Sequence, residues 1–171
     1  MAARDLTPRH PLAESLLADA ERFDFFQAVR LLELARPDAL AVGSGSDPTR
    51  EAVRFRARVG LEFGVNDIVR GAGADPYRRG VLEVAFMSLT GSEGVLPAPY
   101  CELVLERARA EGRPDALCGP DDDARDFLDI FHHRLISLFY RGRKKHRLAL
   151  GADGRQPALL ERLLFHLIGF N

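Results

Sequence analysis

The stretch Asp121-Asp122-Asp123-Ala124-Arg125-Asp126-Phe127-Leu128-Asp129-Ile130-Phe131-His132-His133-Arg134-Leu135-Ile136-Ser137-Leu138-Phe139-Tyr140-Arg141-Gly142-Arg143 carries the strongest structural signal in the chain. Phe127, Phe131, Leu135 and Leu138 recur at helical spacing, with Leu128 and Phe139 beside them. That pattern predicts one long amphipathic helix with the apolar stripe turned to a core. The aspartates at its start and Arg141, Arg143, Lys144 and Lys145 at its end complement the helix dipole. At 1.5 Å per residue it spans roughly 30 Å, and the fold is expected to be built around it.

Shorter signals lie on both sides. Pro11 suits the first turn of a helix carrying Leu12, Leu16, Leu17 and Ala20. Asp24 and Gln27 have capping-box spacing, so a second helix is expected from Phe25 until Pro37 ends it. Residues 38–51 and 71–80 are rich in Gly, Ser, Asp and Pro and read as loops. Val53, Phe55 and Ala57 alternate with Arg54, Arg56 and Arg58, which predicts a half-buried strand with the arginines in solvent. A second strand is expected over Val81–Met87, a further helix over Pro99–Ala110, and a short strand over His146–Leu150. The last helix opens at Pro157 and is apolar nearly all round, through Leu163, Leu164, Phe165, Leu167 and Ile168, so it needs cover on several sides. The fold class is therefore α+β, mainly helical with a small antiparallel sheet.

Composition narrows the function. The chain has 171 residues, 46% of them apolar, and a formal net charge of −1. Near-neutrality gives no global field towards DNA or an anionic membrane. Cys101 and Cys118 make neither a disulfide framework nor a zinc pair and read as reduced thiols. No stretch resembles a signal peptide or reaches the ~20 apolar residues of a membrane span, so a cytoplasmic protein is expected.

Few residues suggest chemistry. Asp129, His133 and Ser137 stand at i, i+4, i+8 in the residue types of a hydrolytic triad. A helix interior offers a serine no oxyanion hole, so they read better as polar residues on the less buried face. Adjacent His132 and His133 point to different sides of a helix and cannot readily share a metal; with His146 they supply no ligand set. Asp121–Asp123 lack the spacing of a calcium loop. Thr90–Gly94 matches neither a P-loop nor a dinucleotide fingerprint and reads as a strand-to-helix turn. The basic run Arg141, Arg143, Lys144, Lys145, His146 and Arg147 fits a nucleic-acid patch less well than a helix end docking on an acidic protein surface. No catalytic residue, cofactor or metal is assigned.

Several segments together resemble one family. Phe25-Phe26-Gln27-Ala28-Val29-Arg30-Leu31-Leu32-Glu33, the strand Val53-Arg54-Phe55-Arg56, Phe86-Met87-Ser88-Leu89-Thr90-Gly91 with Gly94-Val95-Leu96-Pro97, Arg125 to Arg141, and Leu164 to Phe170 follow, in unbroken order, the motifs of the TssG subunits of type VI secretion baseplates. His132 stands where that pattern has asparagine, and Gly142 to His146 differ from its aromatic-containing segment. The resemblance implies that 1–171 is the N-terminal part of a longer baseplate subunit. It implies a structural role in the wedge, with TssF, TssK and TssE as partners, assembled on the cytoplasmic side of the inner-membrane complex, without cofactor or catalysis. Arg141, Arg143, Lys144, Lys145, Arg147, Leu163, Phe165 and Ile168 are the expected partner-binding residues. The alternatives are a hydrolase using Asp129, His133 and Ser137, or a nucleic-acid module using residues 141–147.

Overall fold

The structure is a computed structural model and describes residues 11–74, 79–91, 94–110, 123–147 and 159–169. Its helices are α1 (Pro11–Ala18), α2 (Phe25–Ala35), α3 (Ala98–Ala110), α4 (Asp123–His146) and α5 (Leu159–Ile168), and its strands are β1 (Val53–Ala57), β2 (Ile68–Ala74) and β3 (Gly80–Val84). Single 3-10 turns stand at Ala20–Arg22 and Pro48–Arg50.

Local chemistry explains the ends of α2. The Asp24 carboxylate accepts from Phe26 N at 3.0 Å and Gln27 N at 3.1 Å, satisfying two of the N–H groups a helix start leaves open. The helix stops at Ala35, two residues before Pro37, because the residue preceding a proline is driven out of helical conformation. Its inner face buries Phe25, Ala28, Val29 and Leu32 against the sheet, and Phe25 meets Phe55 with ring centroids 5.6 Å apart. Leu34 is exposed, whereas Phe26 on the same helix packs against Phe139 and Tyr140 of α4.

The sheet has the order β1-β3-β2. It is mixed, which corrects the purely antiparallel expectation: β1 runs parallel to β3, and β2 antiparallel to it. Every residue of β3 is buried, as befits a centre strand covered on both faces. β2 takes in residues 71–74, the first part of the segment expected to be a loop. Its glycines misled the pattern, but Gly71 serves packing. A Cβ on Gly71 would stand 2.5 Å from the Leu17 carbonyl oxygen, so glycine lets α1 approach the strand.

The boundary after α4 shifts. The last expected strand, His146–Leu150, does not begin at His146, which closes α4; residues 148–150 lie outside the described set. Likewise Asp121, Asp122 and Cys118 lie outside it, and Cys101 is a buried thiol. The largest correction concerns α4, whose two faces are arranged opposite to expectation.

Candidate interaction surface

α4 runs beside β1, the strand that pairs with β3 on one side only. An edge strand presents unpaired backbone N–H groups, and burying them without partners is costly. Here α4 supplies the partners from its polar residues. Phe55 N donates to His133 Nδ1 at 3.2 Å, and Ala57 N donates to Asp129 Oδ1 at 3.3 Å. Arg56 Nε donates to Asp129 Oδ2 at 2.5 Å, and its Nη2 donates to Asp126 Oδ1 at 2.5 Å. The face of α4 made of Arg125, Asp129, His132, His133, Ile136, Ser137 and Tyr140 is buried.

The body of the domain answers with three buried glutamates. Glu83 takes Arg125 Nη2 at 2.7 Å and Arg70 Nε at 2.5 Å. Glu51 accepts from Gly43 N at 3.1 Å, and its Oε2 lies 3.5 Å from Ser137 Oγ and 3.4 Å from His133 Nε2. Glu33 accepts from Val42 N at 2.9 Å, Tyr140 Oη at 2.9 Å and Lys144 Nζ at 3.0 Å. His132 accepts Leu89 N on Nε2 at 2.9 Å, which leaves its proton on Nδ1, 3.0 Å from Asp129 Oδ1. Burial pushes the Asp129 carboxyl up; the His132 hydrogen bond, the charge and hydrogen bond of Arg56 and the charge of Arg125 outweigh it and hold the carboxyl below its ordinary value.

These contacts dispose of the triad. Asp129, His133 and Ser137 are buried, and Asp129 bonds His132 and Arg56 rather than His133. They lie on the more buried face of the helix, not the less buried one. Arg56 likewise leaves its expected place in solvent and becomes a buried ion-pair partner, while Arg54 and Arg58 are partly covered. Among the described residues no group of three or more His, Cys, Asp or Glu is placed to hold a metal.

The opposite face of α4 is apolar and open. Phe127 is 59% exposed and Phe131 47%, and Ile130, Leu135, Leu138 and Phe139 are exposed with them. The expected stripe is real, but it points away from the sheet. Phe127 and Phe131 meet edge to face at 5.4 Å, and Phe139 leans on Phe26 and Phe86 at 5.7 and 5.5 Å.

Of the expected partner-binding residues, Arg141 donates to the Gly43 carbonyl at 3.0 Å, and Arg143 lies 4.3 Å over the Phe26 ring. Lys144 is taken by Glu33, whereas Lys145 and Arg147 are exposed. On α5, Phe165 and Ile168 are exposed; the side chain of Leu163 lies outside the described set. The structure thus separates the basic run: Lys144 is drawn onto a buried glutamate, Arg141 and Arg143 are exposed but steadied by Gly43 and Phe26, and Lys145 and Arg147 face solvent.

A family model described as type VI secretion, TssG, matches residues 19–171. The chain belongs to the TssG family. TssG proteins are components of the type VI secretion baseplate, a multi-subunit structural assembly. Neither the curated proteins nor the solved structures gave a match. No helix among the described residues is long and apolar enough to cross a membrane. For a TssG subunit, an open apolar face on the best-anchored helix is more telling than any polar cluster, because the polar clusters are consumed in holding that helix. Sequence reasoning found the stripe but assigned it to the core. The signal that could have turned it round was the second periodic set, Arg125, Asp129, His132, His133 and Ser137, which shares one face.

Proposed function

We propose that this chain is a structural subunit of the baseplate wedge that joins TssF copies and docks TssK on the cytoplasmic side of the inner-membrane complex, without catalysing a reaction. The observation that carries the reading is the family match over residues 19–171. The open apolar surfaces of α4 and α5 support it, since contiguous apolar patches on a protein surface mark sites of association. The exposed basic residues Lys145 and Arg147, with Phe165, Leu163 and Ile168 on α5, are further contact points in this reading. In it, residues 1–171 act as the N-terminal part of a longer subunit.

Two other readings lose their support. A hydrolase would need Ser137 to reach a substrate from solvent, and it is fully buried. A nucleic-acid module would use the whole basic run 141–147 on phosphates, and Lys144 within it is already neutralised by the buried Glu33, while the chain as a whole has a net charge of −1.

Co-expression of the chain with the TssF and TssK of the same system, followed by size-exclusion chromatography, tests the proposal. A stable complex containing all three is expected. A folded chain that elutes alone at micromolar concentration with both partners present overturns it.

A further inference from the structure

We infer that the outward face of α4 is a docking site for one amphipathic helix of a partner protein, a helix whose apolar face is bordered by carboxylates. The inference deepens the baseplate reading and rests on it.

The first argument is the surface itself. Phe127, Phe131, Leu135 and Leu138 form a ridge about 16 Å long, and ridges of this kind take the grooves of a second helix. The ridge is held rigid from beneath, because the opposite face of the same helix is tied to β1, Glu33, Glu51 and Glu83 through the hydrogen bonds and ion pairs described above. A surface already fixed in its binding geometry loses little freedom on docking.

The second argument is charge. From Phe127 to His146 the only carboxylate on α4 is Asp129, and it is buried. The exposed charges over that span are Arg134, Arg141, Arg143 and Lys145, all cationic. Arg134 and Arg141 are steadied by carbonyl oxygens of Gly45 and Gly43, each at 3.0 Å, which orders them without neutralising them. Complementarity therefore asks for carboxylates along the edge of the incoming helix.

Among the described residues, α5 is not the occupant of the ridge. α5 is amphipathic and present in the structure, yet Leu164, Phe165, Leu167 and Ile168 on it are exposed and the α4 ridge remains open.

The test is a photo-reactive amino acid at Phe131 in the full chain, co-expressed with TssF and TssK, with the cross-linked peptide read by mass spectrometry. The expected product joins Phe131 to a partner segment with helical apolar spacing and flanking Asp or Glu. Phe131→Asp and Leu135→Asp should each weaken the complex by about 30-fold or more, the scale of a central apolar contact. Lys145→Glu should weaken it severalfold and flatten its dependence on salt. Unchanged thermal melting of each variant confirms that the loss is one of binding. A cross-link to α5, to a second copy of the chain, or to a partner segment lacking apolar helical spacing or flanking carboxylates overturns the inference. So does a complex that forms without any cross-link and tolerates the substitutions, which leaves the baseplate reading standing. Failure of the unmodified chain to join TssF and TssK overturns both.

Discussion

Phe131 and His132 are adjacent in the chain and belong to opposite environments: His132 is 2% exposed, with Nε2 2.9 Å from Leu89 N, while Phe131 is 47% exposed. One residue of helix turns the side chain by about a quarter of a circle or more, so neighbours on α4 can serve the domain and its surroundings separately. α4 is polar where it is buried and apolar where it is open. Such an arrangement is stable because each buried polar residue on it, Arg125, Asp129, His132, His133, Ser137 and Tyr140, meets at least one partner from the rest of the fold.

Phe131→Ala should cost less than about 1 kcal/mol, because the ring is half exposed and its loss opens no cavity. Ile136→Ala, on the buried face, should cost about 2–5 kcal/mol. Urea denaturation of the two variants distinguishes the faces. Equal losses would mean that the ridge is covered within the isolated chain.

Asp129→Asn should destabilise the domain by about 3–5 kcal/mol at neutral pH, because the buried Arg56 guanidinium then loses the charge of a buried carboxylate partner. The carboxyl is held below its ordinary value of 3.8, so its contribution is fully present above that pH and is lost as pH falls through the lower folded value. The gap between wild type and variant should therefore be constant from pH 7 to about 5 and close on further acidification. Denaturant midpoints measured across that range check the sign; a gap that widens in acid would contradict the assignment.

His133→Ala removes the acceptor of the Phe55 backbone N–H and should cost about 1–3 kcal/mol for that buried donor alone. Ser137→Ala should be milder, since its bond to Glu51 is long at 3.5 Å. Neither variant should differ from wild type in a screen of ester and peptide substrates. Turnover that disappears in both would restore the hydrolase reading.

Gly43→Ala should lower the melting temperature by several degrees. Gly43 has φ +74°, and a Cβ there would lie 2.7 Å from the Ser137 carbonyl oxygen. The same residue donates its N–H to Glu51, so strain at this point loosens the loop and the glutamate together. Differential scanning calorimetry gives the shift directly, and an unchanged value would show that the loop can move away from α4 at little cost.

The sequence by itself determined where α2 and α4 form and what family they belong to. Caps, prolines and helical spacing act over four or five residues, so Asp24, Pro37 and the 127–138 stripe are legible without any knowledge of the rest of the chain. Ordered motifs from Phe25 onward likewise needed no coordinates. Only the tertiary structure decided which face of α4 lies inward and that Ile68–Ala74 is a strand. Periodicity gives the angle between two faces of a helix, whereas the choice between them depends on what the neighbouring surface requires. Here that surface is a strand edge with open N–H groups and the guanidinium of Arg56, 73 residues from Asp129 in sequence. β2 was hidden for the same reason: Gly71 is read locally as a turn, and its packing partner, the Leu17 carbonyl on α1, is supplied only by the fold.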